Sequence, residues 1–159
     1  MPDWTRRPQA SAAFLNPALI AAIAATAARD YEGGASGRLM PWPMAFVVAP
    51  LVLHRPTRRA LPSSTRTHLT NWVAGHPALV AGLAPRGTSL APAVREGLRF
   101  GIRHQMLAIE QGCLRGTLAK PPRTDGELAE LIKAASLVGR WTAKSDHPST
   151  VFALLGVRP

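Results

Sequence analysis

From Asn16 onward, apolar positions recur at the spacing of one helical face. Leu19, Ile20, Ile23, Ala24 and Ala27 fall on a common side of a 3.6-residue period. Asn16-Pro17 precedes them, and this pair predicts a helix start: the asparagine side chain caps, and proline lacks only an N–H that a first turn leaves unpaired anyway. Gly33-Gly34, with Gly37 just beyond, predicts the end. The alanine-rich run ALIAAIAATAA (18–28) suits close approach to a neighbouring helix. It is shorter than the ~20 strongly apolar residues that a membrane span requires. No signal-peptide flank precedes it, so the expectation is a cytoplasmic protein with no membrane partner.

MPWPMAFVVAPLVLHRPTRRALP (40–62) is punctuated by prolines at 41, 43, 50, 56 and 62. The favoured reading is a buried helix opened by Pro43, bent at Pro50 and ending near His54. MAFVV is short and rich in β-branched residues, so a buried strand is the alternative. Ser63-Ser64-Thr65 supply caps for a helix with Leu69, Trp72 and Val73 on one face, ending at Gly75. Pro77 opens a short turn with Leu79, Val80 and Leu83, stopped by Pro85. Ser89 and Pro92 then begin a helix through about His104, with Val94, Leu98 and Ile102 as its buried stripe. Residues 105–119 lose the helical period. Leu107 and Ile109 alternate, Gln111-Gly112 offers a turn, and 114–118 returns as a second strand.

Pro121-Pro122 breaks the chain, and Thr124 with Glu127 has the spacing of a capping box. Leu128, Leu131, Ile132, Ala135, Val138 and Trp141 form the stripe of the next helix, and a last helical turn runs from Pro148 to Gly156. Chain ends usually fray and tolerate polar residues. This one is apolar, which predicts a docked C-terminal segment built on Trp141, Phe152, Leu155, Val157 and Arg158. The fold class is mainly α with a small β-hairpin, in one compact domain over 1–159: a helical part at about 12–104, a hairpin at about 105–119 and C-terminal helices at about 124–155. Three helices followed by a hairpin is also the outline of a winged helix.

Composition refines this picture. The 159 residues suit one domain, and 47% hydrophobic against 18% charged residues puts the chain among folded proteins. Nineteen Lys and Arg against nine Asp and Glu give a net charge of +10, which attracts polyanions or an acidic protein. An Arg- and Ala-rich coding bias explains the same excess equally well. One cysteine, Cys113, leaves no route to an intrachain disulfide or a cysteine metal cluster. The five histidines lack metal-ligand spacing, the carboxylates are few and scattered, and neither a GxxxxGK[ST] loop nor a GxGxxG fingerprint occurs. The reading is a protein that is not an enzyme and uses no cofactor or metal.

Two basic groups remain. Arg95, Arg99 and Arg103 repeat every fourth residue and so line one side of their helix. In a winged helix, that helix enters the major groove, where guanidinium groups neutralise phosphates. A solvated face relieved by Glu96 is the plainer reading, and Gly97 and Gly101 give the helix a face built for close contact. Arg55, Arg58, Arg59 and Arg66 form the second group, suited to DNA, to an acidic partner or simply to a solvated loop.

The terminal stretch GRWTAKSDHPSTVFALLGVRP (139–159) resembles the C-terminal signature of the middle component of bacterial three-component ABC systems. FLNPAL (14–19), MPWPMAFVVAPLVLH (40–54) and TRRALP (57–62) resemble the family's first helix, its proline-flanked apolar segment and the turn after it. The resemblance implies a small non-catalytic adaptor, encoded between an ABC ATPase of the SMC/Rad50 class and a third gene often carrying an effector. It implies action against phages or plasmids, and it carries no catalytic residues. Trp4, Trp42, Trp72 and Trp141 are then large anchors for a core or an interface.

Overall fold

The computed structural model describes residues 15–120 and 125–158. Helix α1 spans Pro17–Gly34, and the Asn16 side chain accepts a hydrogen bond from the Ala18 N–H at 2.9 Å. The chain then turns through Ser36 and Gly37, both at positive φ, into the two-residue strand β1, Met40–Pro41. A 3-10 turn over Trp42–Met44 leads into α2, Ala45–Leu53, and then α3, Arg55–Ala60. Helices α4, Leu69–Gly75, and α5, Pro77–Ala81, precede the long α6, Leu83–Arg103. Strands β2, Leu107–Glu110, and β3, Cys113–Gly116, form the hairpin, followed by α7, Gly126–Thr142, and α8, Pro148–Leu154.

Helix α1 lies at the centre, against α7, α6 and the sheet. Small residues make that arrangement possible. A Cβ on Gly139 of α7 would fall on the backbone of Ala27, one on Gly97 of α6 would collide with Ile20, and one on Gly116 of β3 would meet the Ala25 carbonyl. Ile20, Ile23, Ala24, Ala27 and Tyr31 of α1 are all buried, so this helix has almost no wet side. Most of α2 is buried too, including Pro50 in its interior. Trp72 and Trp141 meet edge to face with centroids 5.6 Å apart. Their indole N–H groups donate to the carbonyls of Ala60 and Thr67, each at 2.7 Å, which ties the irregular 61–68 stretch to the core.

The sheet has three antiparallel strands in the order β1-β3-β2, with Met40 opposite Leu114 and Glu110 opposite Cys113. Gln111 and Gly112 both have positive φ, the requirement of a two-residue turn whose twist matches its strands.

Of the two readings of MAFVV, the favoured buried helix forms and the strand does not. Other expectations change. The sheet contains a third strand, β1, which two residues beside a proline gave no local signal for. Pro85 does not stop a turn: it is the third residue of α6, where its missing N–H would have no helical partner in any case. Helix α6 therefore begins at Leu83 rather than Ser89, with Pro92 inside it. Ser63-Ser64-Thr65 stand apart from α4, whose N-cap is His68. Ile102 is 39% exposed and Leu128 46% exposed. The buried face of α6 runs through Val94, Gly97, Leu98 and Gly101, because the glycines let α1 come closest there and leave Ile102 at the rim. Thr124 of the expected capping box lies outside the described residues, as do Trp4, Phe14 and Pro121-Pro122. Its counterpart Glu127 bonds Arg58 instead.

Candidate functional site

A cleft of about 450 Å³ opens between the start of α2, one face of α6 and the terminal tail. Each wall has a local cause. Pro41 and Pro43 flank Trp42 and hold it in the 3-10 turn, where its indole is 47% exposed. One turn later Phe46 meets it edge to face at 5.8 Å. The α6 wall is a line of small residues at helical spacing, Ala84, Gly87 and Ala91, ending at Arg95. The Arg95 guanidinium lies 5.9 Å from the centroid of the Phe46 ring. This geometry suits a cation–π contact.

The third wall is the chain's end. Gly156, at a φ of 66°, stops α8 in the left-handed conformation that glycine adopts without strain. The Val157 N–H then donates back to Phe152 at 3.0 Å and the Gly156 N–H to Ala153 at 3.2 Å. This pair of reverse bonds is a Schellman closure. It holds Val157 half-buried and places Arg158 at the cleft. Behind it, Trp141, Val151, Phe152 and Leu155 are buried.

Arg95, Arg99 and Arg103 are all exposed on the side of α6 away from α1. At 1.5 Å per residue they extend about 12 Å from the cleft toward the hairpin. Of the second basic group, Arg55, Arg59 and Arg66 are exposed. Arg58 is not part of that surface. It is buried, donates to the Val52 carbonyl at 2.8 Å and pairs with Glu127 at 3.0 Å, so it clamps α2 to α7.

Beneath α3 lies a polar group that sequence spacing does not reveal. His54 Nδ1 is 2.7 Å from the Thr57 hydroxyl and accepts from the Thr57 N–H at 3.4 Å. Arg86 donates to the Leu79 carbonyl at 2.8 Å and to the Thr57 hydroxyl at 3.4 Å. Burial, then the Arg86 charge, lowers the His54 pKa, and burial lowers that of Arg86. On α1, burial works to raise the Asp30 pKa, but hydrogen bonds from Arg29 and Ser136 and the Arg29 and Arg140 charges outweigh it, and the carboxyl ends below its ordinary value. Arg115 of β3 pairs with Glu110 across the hairpin at 2.8 Å and with Glu32 of α1 at 2.9 Å, and the second pair joins the hairpin to α1.

Chemically, the cleft can desolvate an apolar side chain while guanidinium groups at its rim pair with anionic oxygens. The sequence singled out Trp42, Arg95, Val157 and Arg158 separately, and nothing local showed that they meet, because the facing wall on α6 is some forty residues or more from Trp42. Cys113, half-buried in β3 opposite Pro41, does not line it. Among the described residues, no three His, Cys, Asp or Glu side chains are grouped to hold a metal ion, and no helix is long and apolar enough to cross a membrane.

No curated protein and no solved structure matches the chain. Residues 4–159, nearly its whole length and including all three walls of the cleft, match a family defined by its place in a multi-protein system. This chain belongs to the ABC-three component (ABC-3C) system Middle Component 3 family.

Proposed function

We propose that this chain is a non-catalytic adaptor that bridges an SMC/Rad50-like ABC ATPase and an effector or sensor protein, in a cytoplasmic defence system against phages or plasmids. The observation that carries the reading is its family membership over residues 4–159. The cleft supports it: exposed aromatic surface at Trp42, walled in part by the chain's own tail, suits contact with another subunit. Co-expression with the two neighbouring gene products tests it. Copurification with both in one complex is expected; recovery of the chain alone, with neither product bound, refutes the adaptor role. Cys113→Ala is expected to leave the activity of the assembled system intact.

A second reading makes the chain a winged-helix DNA-binding protein, either a regulator or the DNA-touching part of the same complex. Its support is the exposed Arg95, Arg99 and Arg103 on α6, in an order of helix, strand, helices and hairpin that suits a winged helix. It predicts duplex binding that weakens steeply with salt, with a log–log slope reduced by about 2–3 when all three arginines become Gln. Unchanged binding by that variant rejects this face.

A further inference from the structure

We propose that the cleft between the 3-10 turn, α6 and the terminal tail captures a segment of one partner subunit that carries an apolar anchor residue followed by carboxylates. This rests on the adaptor reading and specifies the surface it uses. The anchor's place is set by size and chemistry. A volume of about 450 Å³ takes one or two large side chains, and the rings of Trp42 and Phe46 with Gly87 and Ala91 present them a mostly carbon surface. Trp42 is nearly half exposed, so a docked side chain would remove indole surface from water, the usual behaviour of an interface anchor.

The charge of the segment follows from the rim. Arg95 and Arg158 are the charged groups among the described lining residues, and no carboxylate is among them. Arg99 and Arg103 continue the positive line from Arg95 at successive helical turns, about 6 Å apart. A peptide anchored beside Phe46 and running along α6 thus meets three guanidinium groups, each able to take a carboxylate in a bidentate contact. Other occupants fit less well. A second copy brings its own net charge of +10. The chain's residues 1–14 carry Trp4 but also Arg6 and Arg7 against a single Asp3. A DNA backbone would satisfy the arginines and leave the apolar recess empty.

The test uses the full chain in the reconstituted complex, with the photo-crosslinking residue benzoylphenylalanine in place of Trp42. The expected product joins position 42 to a partner segment with a large apolar residue and at least two Asp or Glu within the next eight. In parallel, Trp42→Ala and Arg95→Glu/Arg99→Glu are compared with the parent protein for affinity toward that purified partner. Each is expected to weaken binding about tenfold or more. The arginine variant should keep the parent melting temperature because Arg95 and Arg99 are exposed, whereas Trp42→Ala also loses its contact with Phe46, so its affinity is measured well below its own melting temperature. A crosslink to DNA, to a second copy, to residues 1–14 or to a segment without carboxylates overturns the proposal, as does no crosslink or unchanged affinity. In those cases a complex that still forms leaves the adaptor reading standing; a complex that never forms with the parent chain removes the adaptor reading itself.

Discussion

Gly139→Ala isolates the contact on which the centre of the fold depends. In most helices this substitution stabilises, by about 1 kcal/mol, because alanine restricts the unfolded backbone and suits the helix. Here the added Cβ would meet Ala27 of α1, with its Cα at 2.9 Å and its carbonyl carbon at 3.0 Å. Carbon atoms prefer roughly 3.5–4.0 Å. The obstruction is backbone on both sides, the Ala27 carbonyl oxygen being the nearest atom, so no rotamer change relieves it, and α1 and α7 must separate by more than about half an ångström. Inserting a methyl group into a tight core typically costs about 1–3 kcal/mol, and a backbone clash belongs at the upper end. Net of helix propensity, the variant should lose about 2 kcal/mol, a fall in Tm of about 4–8 °C for a domain this size. Thermal unfolding of the purified chain, followed by circular dichroism, measures this. Gly33→Ala is the control: it lies near the end of α1 with nothing within 4 Å of its added Cβ, and should leave Tm unchanged or slightly raised. A Gly139→Ala protein that melts at or above the parent temperature would refute the close α1–α7 contact.

Other outcomes follow from the buried polar groups. Arg58→Met leaves the Val52 carbonyl without its donor and should cost about 1–3 kcal/mol in urea unfolding, whereas Glu127→Gln, at a half-exposed carboxylate, should cost less than about 1 kcal/mol. The Thr26 hydroxyl is buried with no hydrogen-bond partner among the described residues, so Thr26→Val should be neutral or stabilise by up to about 1 kcal/mol; a clear loss would mean that the hydroxyl is bonded. Burial, and next the Arg86 charge, holds the His54 pKa below its usual value of about 6.5. The unfolded chain therefore binds a proton there before the native state does. The stability contributed by neutral His54 is complete above about pH 6.5 and is lost as pH falls below it. His54→Asn should flatten the stability profile in that acid window, and a slope unchanged from the parent would show that another group carries it.

Much of the fold was legible because its signals are local. Asn16 and Pro17 begin α1 through bonds within one turn, and Gln111-Gly112 closes the hairpin through its own dihedrals. The stop at Gly156 is likewise written in residues adjacent in the chain. The motifs at 40–54 and 139–159 also carried the family, which residues 4–159 bear out.

What stayed hidden needed partners distant in sequence. Strand β1 exists only because Met40 finds Leu114, seventy-four positions later. Helix α6 reaches back to Leu83, which the core buries, and that start places Pro85 in the first turn, where its missing N–H needs no partner. Arg58 looked like one of four surface arginines until a carbonyl on α2 and a carboxylate on α7 enclosed it. The cleft is the furthest case, since its walls come from three separate stretches of chain. The sequence by itself determined the start of α1, the hairpin turn and the stop after α8, since the cap, proline and glycines there act within about four residues. Only the tertiary structure decided which faces stayed wet and which formed a recess, because burial belongs to pairs of segments and is absent from either one alone.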